Sequence, residues 1–172
     1  MRTLRERRTR VGYGACVLEL RPFVAADDRW LISWVRSPDE LLTFAGPSLK
    51  WPLNRTQLDA IRLRTDTIAW TAVTPPATAP VGHIQLVLTD DPARGLLGRV
   101  IIAPAHRGQG LGRQLVEAAL DAAVARGLRV VELKVRAYNE AAIRTYSNLG
   151  FRKIDNERGD SAGVLRMQLE LQ

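Results

Sequence analysis

Thiol and metal chemistry have little to draw on in this chain. Its 172 residues hold one cysteine, Cys16, and two histidines, His83 and His106. One cysteine cannot build a disulfide framework or a multi-cysteine metal site, and two histidines give zinc too few ligands, so no metal is expected. Cys16 has no paired histidine, which speaks against a cysteine nucleophile. Long apolar runs are missing as well. The longest stretch without Asp, Glu, Lys or Arg, Thr67 to Thr89, is interrupted by Pro75, Pro76, Pro80 and Gly82 and is rich in threonine, so it is no membrane span. The apolar stretch of about 7–15 residues that a secretory signal needs after its basic residues is absent too. A soluble, cytoplasmic protein in a reducing compartment is expected, with no membrane partner.

What is present describes one globular domain. The length suits a single core, and 46% hydrophobic with 25% charged residues is neither a disordered nor a fibrous composition. The net charge of +7 is unevenly placed: Arg2, Arg5, Arg7, Arg8 and Arg10 against Glu6 put +4 of it in the first ten residues. We read residues 1–14 as a basic arm and 15–172 as the domain. A short basic end of this kind is ordinarily solvated rather than a nucleic-acid site, so nucleic acid is not an expected partner.

Periodicity organises the domain. A strand is expected over 16–24, a helix over 25–36, a second short helix capped by Ser37, and a third over 55–64. Thr67–Thr74 and Val81–Thr89 suggest an antiparallel hairpin, with another strand at Leu96–Ala103. A helix over Leu111–Arg126, a strand over Val130–Arg136, a helix over Glu140–Leu149 capped by Asn139, and two terminal strands, about Phe151–Asn156 and Val164–Leu171, complete the order. The predicted fold class is α/β: a mixed, mostly antiparallel sheet with helices on both faces.

The chemistry concentrates between residues 100 and 116. An apolar strand meets Pro104, runs into Arg107-Gly108-Gln109-Gly110-Leu111-Gly112, and continues as an amphipathic helix. Three glycines in five residues are entropically costly and make sense where something must approach the backbone. A helix N-terminus offers unpaired N–H groups and partial positive charge, a ready anion site, and Arg107 and Arg113 sit at that end. The glycines lack the Lys-Ser/Thr of a Walker loop and the spacing of the dinucleotide fingerprint. Downstream, Asn139, Ala142, Tyr146, Gly150 and Phe151 form the pattern N-x-x-A-x-x-x-Y-x-x-x-G-F.

The loop resembles the acyl-CoA loop of the GNAT superfamily of N-acetyltransferases, and the downstream pattern is similar to a second element of that family. The resemblance implies a GNAT-like sheet that splays at the acyl-CoA site. It implies acetyl-CoA as co-substrate, with the pantetheine arm on backbone groups of Ile102 and Ala103 and on Asn139. The pyrophosphate would lie on N–H groups from Arg107, Gly108, Gln109, Gly110, Leu111 and Gly112, beside Arg113. Tyr146 is implied as the proton donor to the leaving sulfur: a phenol of pKa about 10 stays protonated at neutral pH, whereas a free thiol titrates near 8.5.

The proton acceptor is less defined. Many family members place a carboxylate on the strand before the loop, and Leu97–Ile102 has none. His83, on a strand read as half-exposed, is the candidate base because a histidine's intrinsic pKa suits proton uptake near neutrality, although a histidine placed so is more often a packing or hydrogen-bonding residue. Glu132 reads as a surface ion-pair partner. The acceptor is expected to be a small-molecule or peptide amine; the resemblance implies that the segment holding Trp30, Trp34, Phe44 and Trp51 shapes its pocket, while core packing is the default reading of each of these aromatics. Transfer of a longer acyl group, a non-catalytic acyl-CoA-binding module and a homodimer stay open at this point.

Overall fold

The structure is a computed structural model, and it describes residues 18–155 and 162–172. The basic arm and Cys16 lie outside the described residues. Seven strands form one sheet: β1 (Glu19–Pro22), β2 (Thr67–Val73), β3 (Pro80–Leu88), β4 (Arg94–Ile102), β5 (Val130–Arg136), β6 (Arg152–Ile154) and β7 (Val164–Glu170). Their spatial order is β1-β2-β3-β4-β5-β7-β6. The helices are α1 (Asp28–Trp34), α2 (Pro38–Ala45), α3 (Arg55–Arg62), α4 (Leu111–Val124) and α5 (Glu140–Asn148). Among the described residues no helix is long and apolar enough to cross a membrane.

Three of the helices, α2, α3 and α5, start where the sequence supplies a side-chain cap. Ser37 Oγ accepts from Glu40 N at 3.1 Å ahead of Pro38, Asn54 Oδ1 accepts from Gln57 N at 3.1 Å, and Asn139 Oδ1 accepts from Ala142 N at 3.3 Å. Buried Leu111, Leu115, Val116, Ala119 and Ala123 make one stripe of α4, the spacing of a helix lying on a sheet. That stripe joins Ile84, Leu86, Leu97, Val131 and Met167 in the core on one face of the sheet. A second core on the other face gathers Leu31, Trp34, Leu41, Phe44, Leu58 and Ile61 from α1, α2 and α3. Helices therefore cover both faces, as expected.

Two expectations change. The single helix over 25–36 is a 3-10 turn, Ala25–Asp27, followed by α1. Asp27 is responsible: its carboxylate accepts from Val24 N, from both terminal nitrogens of Arg21 and from Thr71 Oγ1, pinning the chain before the α-helix begins. Strand β3 is not half-exposed. The layer of α1–α3 covers its second face, so seven consecutive residues from Pro80 are buried.

The feature that positions the site is the single parallel pairing. β4 meets β5 only from Arg94↔Val130 to Leu97↔Leu133, although β4 runs on to Ile102 and β5 to Arg136. At the parting, β4 carries a bulge: Gln85 faces Gly98 and His83 faces Ile101, so Arg99 and Val100 together stand opposite Ile84 alone. A bulge bends and twists its strand, and this one turns β4 away from β5. The result is a wedge with an unpaired backbone edge on its β4 side.

Candidate functional site

The wedge opens into a cavity of about 380 Å³, with Phe44, Ser48, Gln85, Gly98, Arg99 and Arg136 among its lining residues and, among the described residues, no Asp or Glu. Its wall on the helical side is the end of α2 and the turn that follows, Leu42 to Ser48. A hydrogen bond of 2.8 Å between Thr43 Oγ1 and Tyr138 Oη ties α2 to the turn after β5.

At the end of β4 the chain enters the glycine loop. Gly108 and Gly110 take φ of +75° and +77°, a conformation that only glycine adopts without strain, and a Cβ on either would project into open space. Gly110 is the N-cap of α4 and provides no side-chain acceptor. The N–H groups of the first turn of α4 are thus left for an outside acceptor. Arg107 folds back, its Nε donating to Ile102 O at 3.1 Å, and its Nη1 lies 4.0 Å from Glu40. Arg113 pairs with Glu117 at 2.8 Å. Both guanidiniums are solvent-accessible, so a bound anion could recruit them.

The pantetheine expectation narrows. Ala103 N–H donates to Val81 O at 2.8 Å and Ala103 O accepts from His106 N at 2.8 Å, so both of its backbone groups are already used within the fold. Antiparallel alternation turns the backbone groups of Ile102 to the other side, toward the wedge. Asn139 spends its side-chain oxygen on the α5 cap, which leaves its amide N–H groups as donors.

Tyr146, on α5, is 8% exposed, packs edge to face with Phe151 at 5.8 Å, and makes no hydrogen bond with the described residues. Burial pushes its hydroxyl up to about 12. It therefore stays protonated at physiological pH.

For His83 the structure shows packing and hydrogen bonding. It is buried, wedged edge-on against Phe23 and Phe44. Arg99 Nη1 donates to Gln85 Oε1 at 2.5 Å, which turns the Gln85 amide N–H toward His83 Nε2 at 3.0 Å. Nε2 must then accept, and the ring proton sits on Nδ1, which has no partner. With its lone pair occupied, His83 has nothing to offer an incoming amine. Burial first, then the charge of Arg99, lower it to about 3 against an opposing pull from Asp27. The unfolded chain takes up this proton near 6.5 and the folded one near 3, so stability should fall as pH drops through that window. Denaturant titrations from pH 7 to 4 should show the fall, and a His83→Gln variant should flatten it. Parallel curves for the two proteins would refute the assignment.

Other readings sort cleanly. Trp34 and Phe44 belong to the second core, Trp30 and Trp51 are exposed, and of these four only Phe44 reaches the cavity. Glu132 is an ion-pair partner, of Arg94 and of Arg166, but largely buried rather than on the surface. Arg99 and Gln85 were missed. Their signal was present in hindsight as a lone charge inside the apolar strand Leu96–Ile102, but sequence alone gives no sign that a bulge turns it into a cavity.

The chain matches the acetyltransferase (GNAT) family over residues 26–151. A mycothiol acetyltransferase of Rhodococcus jostii is 43% identical over 68 residues, 40% of this chain and 22% of that protein. The ribosomal protein bS18-alanine N-acetyltransferase of Escherichia coli is 44% identical over 55 residues, 32% of this chain and 37% of that one. The matched stretch thus spans well under half the length of these relatives. Among solved structures, a domain from Methanocaldococcus jannaschii superposes with a TM-score of 0.74 at 18% identity, covering 90% of this chain and 98% of that one. The spermidine N-acetyltransferase of Vibrio cholerae in complex with CoA and spermine gives 0.73 at 20% identity, covering 90% and 95%. These neighbours share the α/β fold, and the family match extends over most of the domain, wedge and glycine loop included: the chain belongs to the acetyltransferase (GNAT) family.

Proposed function

We propose that this protein is an N-acetyltransferase that passes the acetyl group of acetyl-CoA directly to a primary amine within a ternary complex. The observation that carries the reading is the uncapped first turn of α4, opening beside the unpaired β4 edge of the wedge. One part suits a pyrophosphate and the other an extended amide arm, and the residues present fit acetyl-CoA. When bound, acetyl-CoA supplies the thioester carbonyl that the amine attacks.

The chain's own residues have separable jobs. N–H groups from Gly108 to Gly112 hold the diphosphate, with Arg107 and Arg113 adding charge. Ile102 and Asn139 hold the arm. Tyr146 keeps a proton on its hydroxyl and gives it to the departing sulfur. Among the described residues no carboxylate lines the cavity, and His83 has no lone pair to spare; in this reading the acceptor enters as the neutral amine and its excess proton leaves to water. It follows that kcat/KM should rise with pH until the acceptor amine's own pKa, and that changing the acceptor should move the inflection. An inflection that stays fixed for amines of different pKa would point to a protein base instead.

Gly110→Val tests the loop directly. A β-branched residue at φ +77° is strained, and its Cβ enters the space reserved for the ligand. Calorimetry should show acetyl-CoA binding weakened by at least about tenfold, roughly 1.4 kcal/mol. Unchanged affinity in a folded variant would remove the loop from the binding site. Thermal shift with acetyl-CoA followed by an amine screen tests the function itself; stabilisation without turnover on any amine would favour a binding module.

A further inference from the structure

Arg99 is held in a state that its neighbours do not explain. It occupies φ +48°, a conformation rarely taken by residues other than glycine, at the bulge that aims it into the cavity. Its guanidinium donates to two neutral groups, Gln85 Oε1 at 2.5 Å and Ser48 Oγ at 3.2 Å, while Nε is sealed from solvent without an acceptor. No carboxylate among the described residues forms an ion pair with it. A partly desolvated cation whose partners are all neutral is an unfavourable arrangement unless a negative charge arrives to complete it.

The surroundings agree. Arg136 lines the same cavity, and among the described residues no acidic side chain does. Desolvation, followed by the charge of Arg64, already lowers the proton affinity of Arg99. A polyamine entering here would place like charge against Arg99 and Arg136. At about 380 Å³ the cavity is at the small end of the range for small-molecule sites.

We infer that the acceptor is a small amine bearing a carboxylate, and that Arg99 is the residue that pairs with that carboxylate. This rests on the acetyl-transfer reading above and deepens it. A guanidinium suits a planar carboxylate because the remaining N–H groups of its two terminal nitrogens form a fork that a lysine cannot reproduce. Gln85 and Ser48 then act as positioning residues that fix the fork.

Comparison of each standard L-amino acid with its carboxamide, which removes the negative charge and keeps the amine, tests the inference. With the full chain and saturating acetyl-CoA, the preferred amino acid should surpass its amide in kcat/KM by at least about tenfold. In Arg99→Gln that ratio should collapse toward one through KM, with acetyl-CoA affinity unchanged, while Arg99→Lys should restore part of it. Equal or better use of the amides by the unaltered protein would overturn the inference, and that comparison stands whether or not the variants fold. A preference that survives Arg99→Gln would overturn the role of Arg99. Calorimetry of the same amino acids and amides on CoA-saturated protein separates the two readings. Selective binding of the acids without turnover would defeat acetyl transfer and keep the anion site. Equal binding of acids and amides would defeat the anion site alone.

Discussion

A Tyr146→Phe protein is expected to lose at least about 100-fold in kcat, within the range seen for general acid catalysis, and to bind acetyl-CoA almost as before. The substitution deletes one oxygen and keeps the ring packed edge to face against Phe151 at 5.8 Å. Because that oxygen makes no hydrogen bond with the described residues, its loss should leave the melting temperature nearly unchanged. Burial holds the hydroxyl up at about 12, so it is protonated over the whole working range. A phenol that reluctant is a poor donor to a solvated thiolate. Loss of solvent around the departing sulfur would raise its proton affinity as well, and the mismatch would narrow. Stopped assays of thiol release, paired with calorimetry, separate kcat from binding; unchanged turnover would remove Tyr146 from the proton path.

The second large effect is on stability. Asp28 is 1% exposed and is held by both terminal nitrogens of Arg62, at 2.5 and 3.1 Å, with the guanidinium also lying over the Phe23 ring at 5.3 Å. Arg62→Met keeps much of the aliphatic packing and leaves a buried carboxylate alone. The unfolding free energy should fall by about 3 kcal/mol. Adding Asp28→Asn should recover part of the loss, since it removes the stranded charge. A single variant within about 0.5 kcal/mol of the parent would show that the pair contributes little. The consequence extends to function, because Arg62 and Asp28 lock α3 to α1 in the layer that contains α2, and the end of α2 is one wall of the cavity.

These two residues mark the boundary of what the sequence discloses. Tyr146 was legible because its spacing from Asn139, Ala142 and Gly150 is fixed by one helix, and a helix translates spacing into geometry. The glycine loop was legible for a similar reason: Gly108 and Gly110 are needed at positive φ within a single turn. Asp28 and Arg62 lie 34 positions apart, and nothing local distinguishes them from solvated charges. Arg99 fails for a different cause. Strand alternation predicts which face a residue occupies, but the bulge at Arg99 and Val100 breaks the alternation at the site that matters. The exposure of His83 is hidden by tertiary cover: alternation on β3 predicts a half-exposed strand, whereas α1–α3 close over it. Local signals thus single out the glycine loop and the Tyr146 helix, while the cavity residues depend on contacts between segments far apart in sequence.

The account as a whole turns on one stoichiometry. Incubated with acetyl-CoA and a panel of amino acids, peptides and polyamines, the protein should yield one N-acetylated amine, identified by mass spectrometry, for each free CoA thiol released, with no acetyl group retained on the chain. Stabilisation by acetyl-CoA with neither thiol nor acetylated amine above the enzyme-free control, across the whole panel, would contradict it.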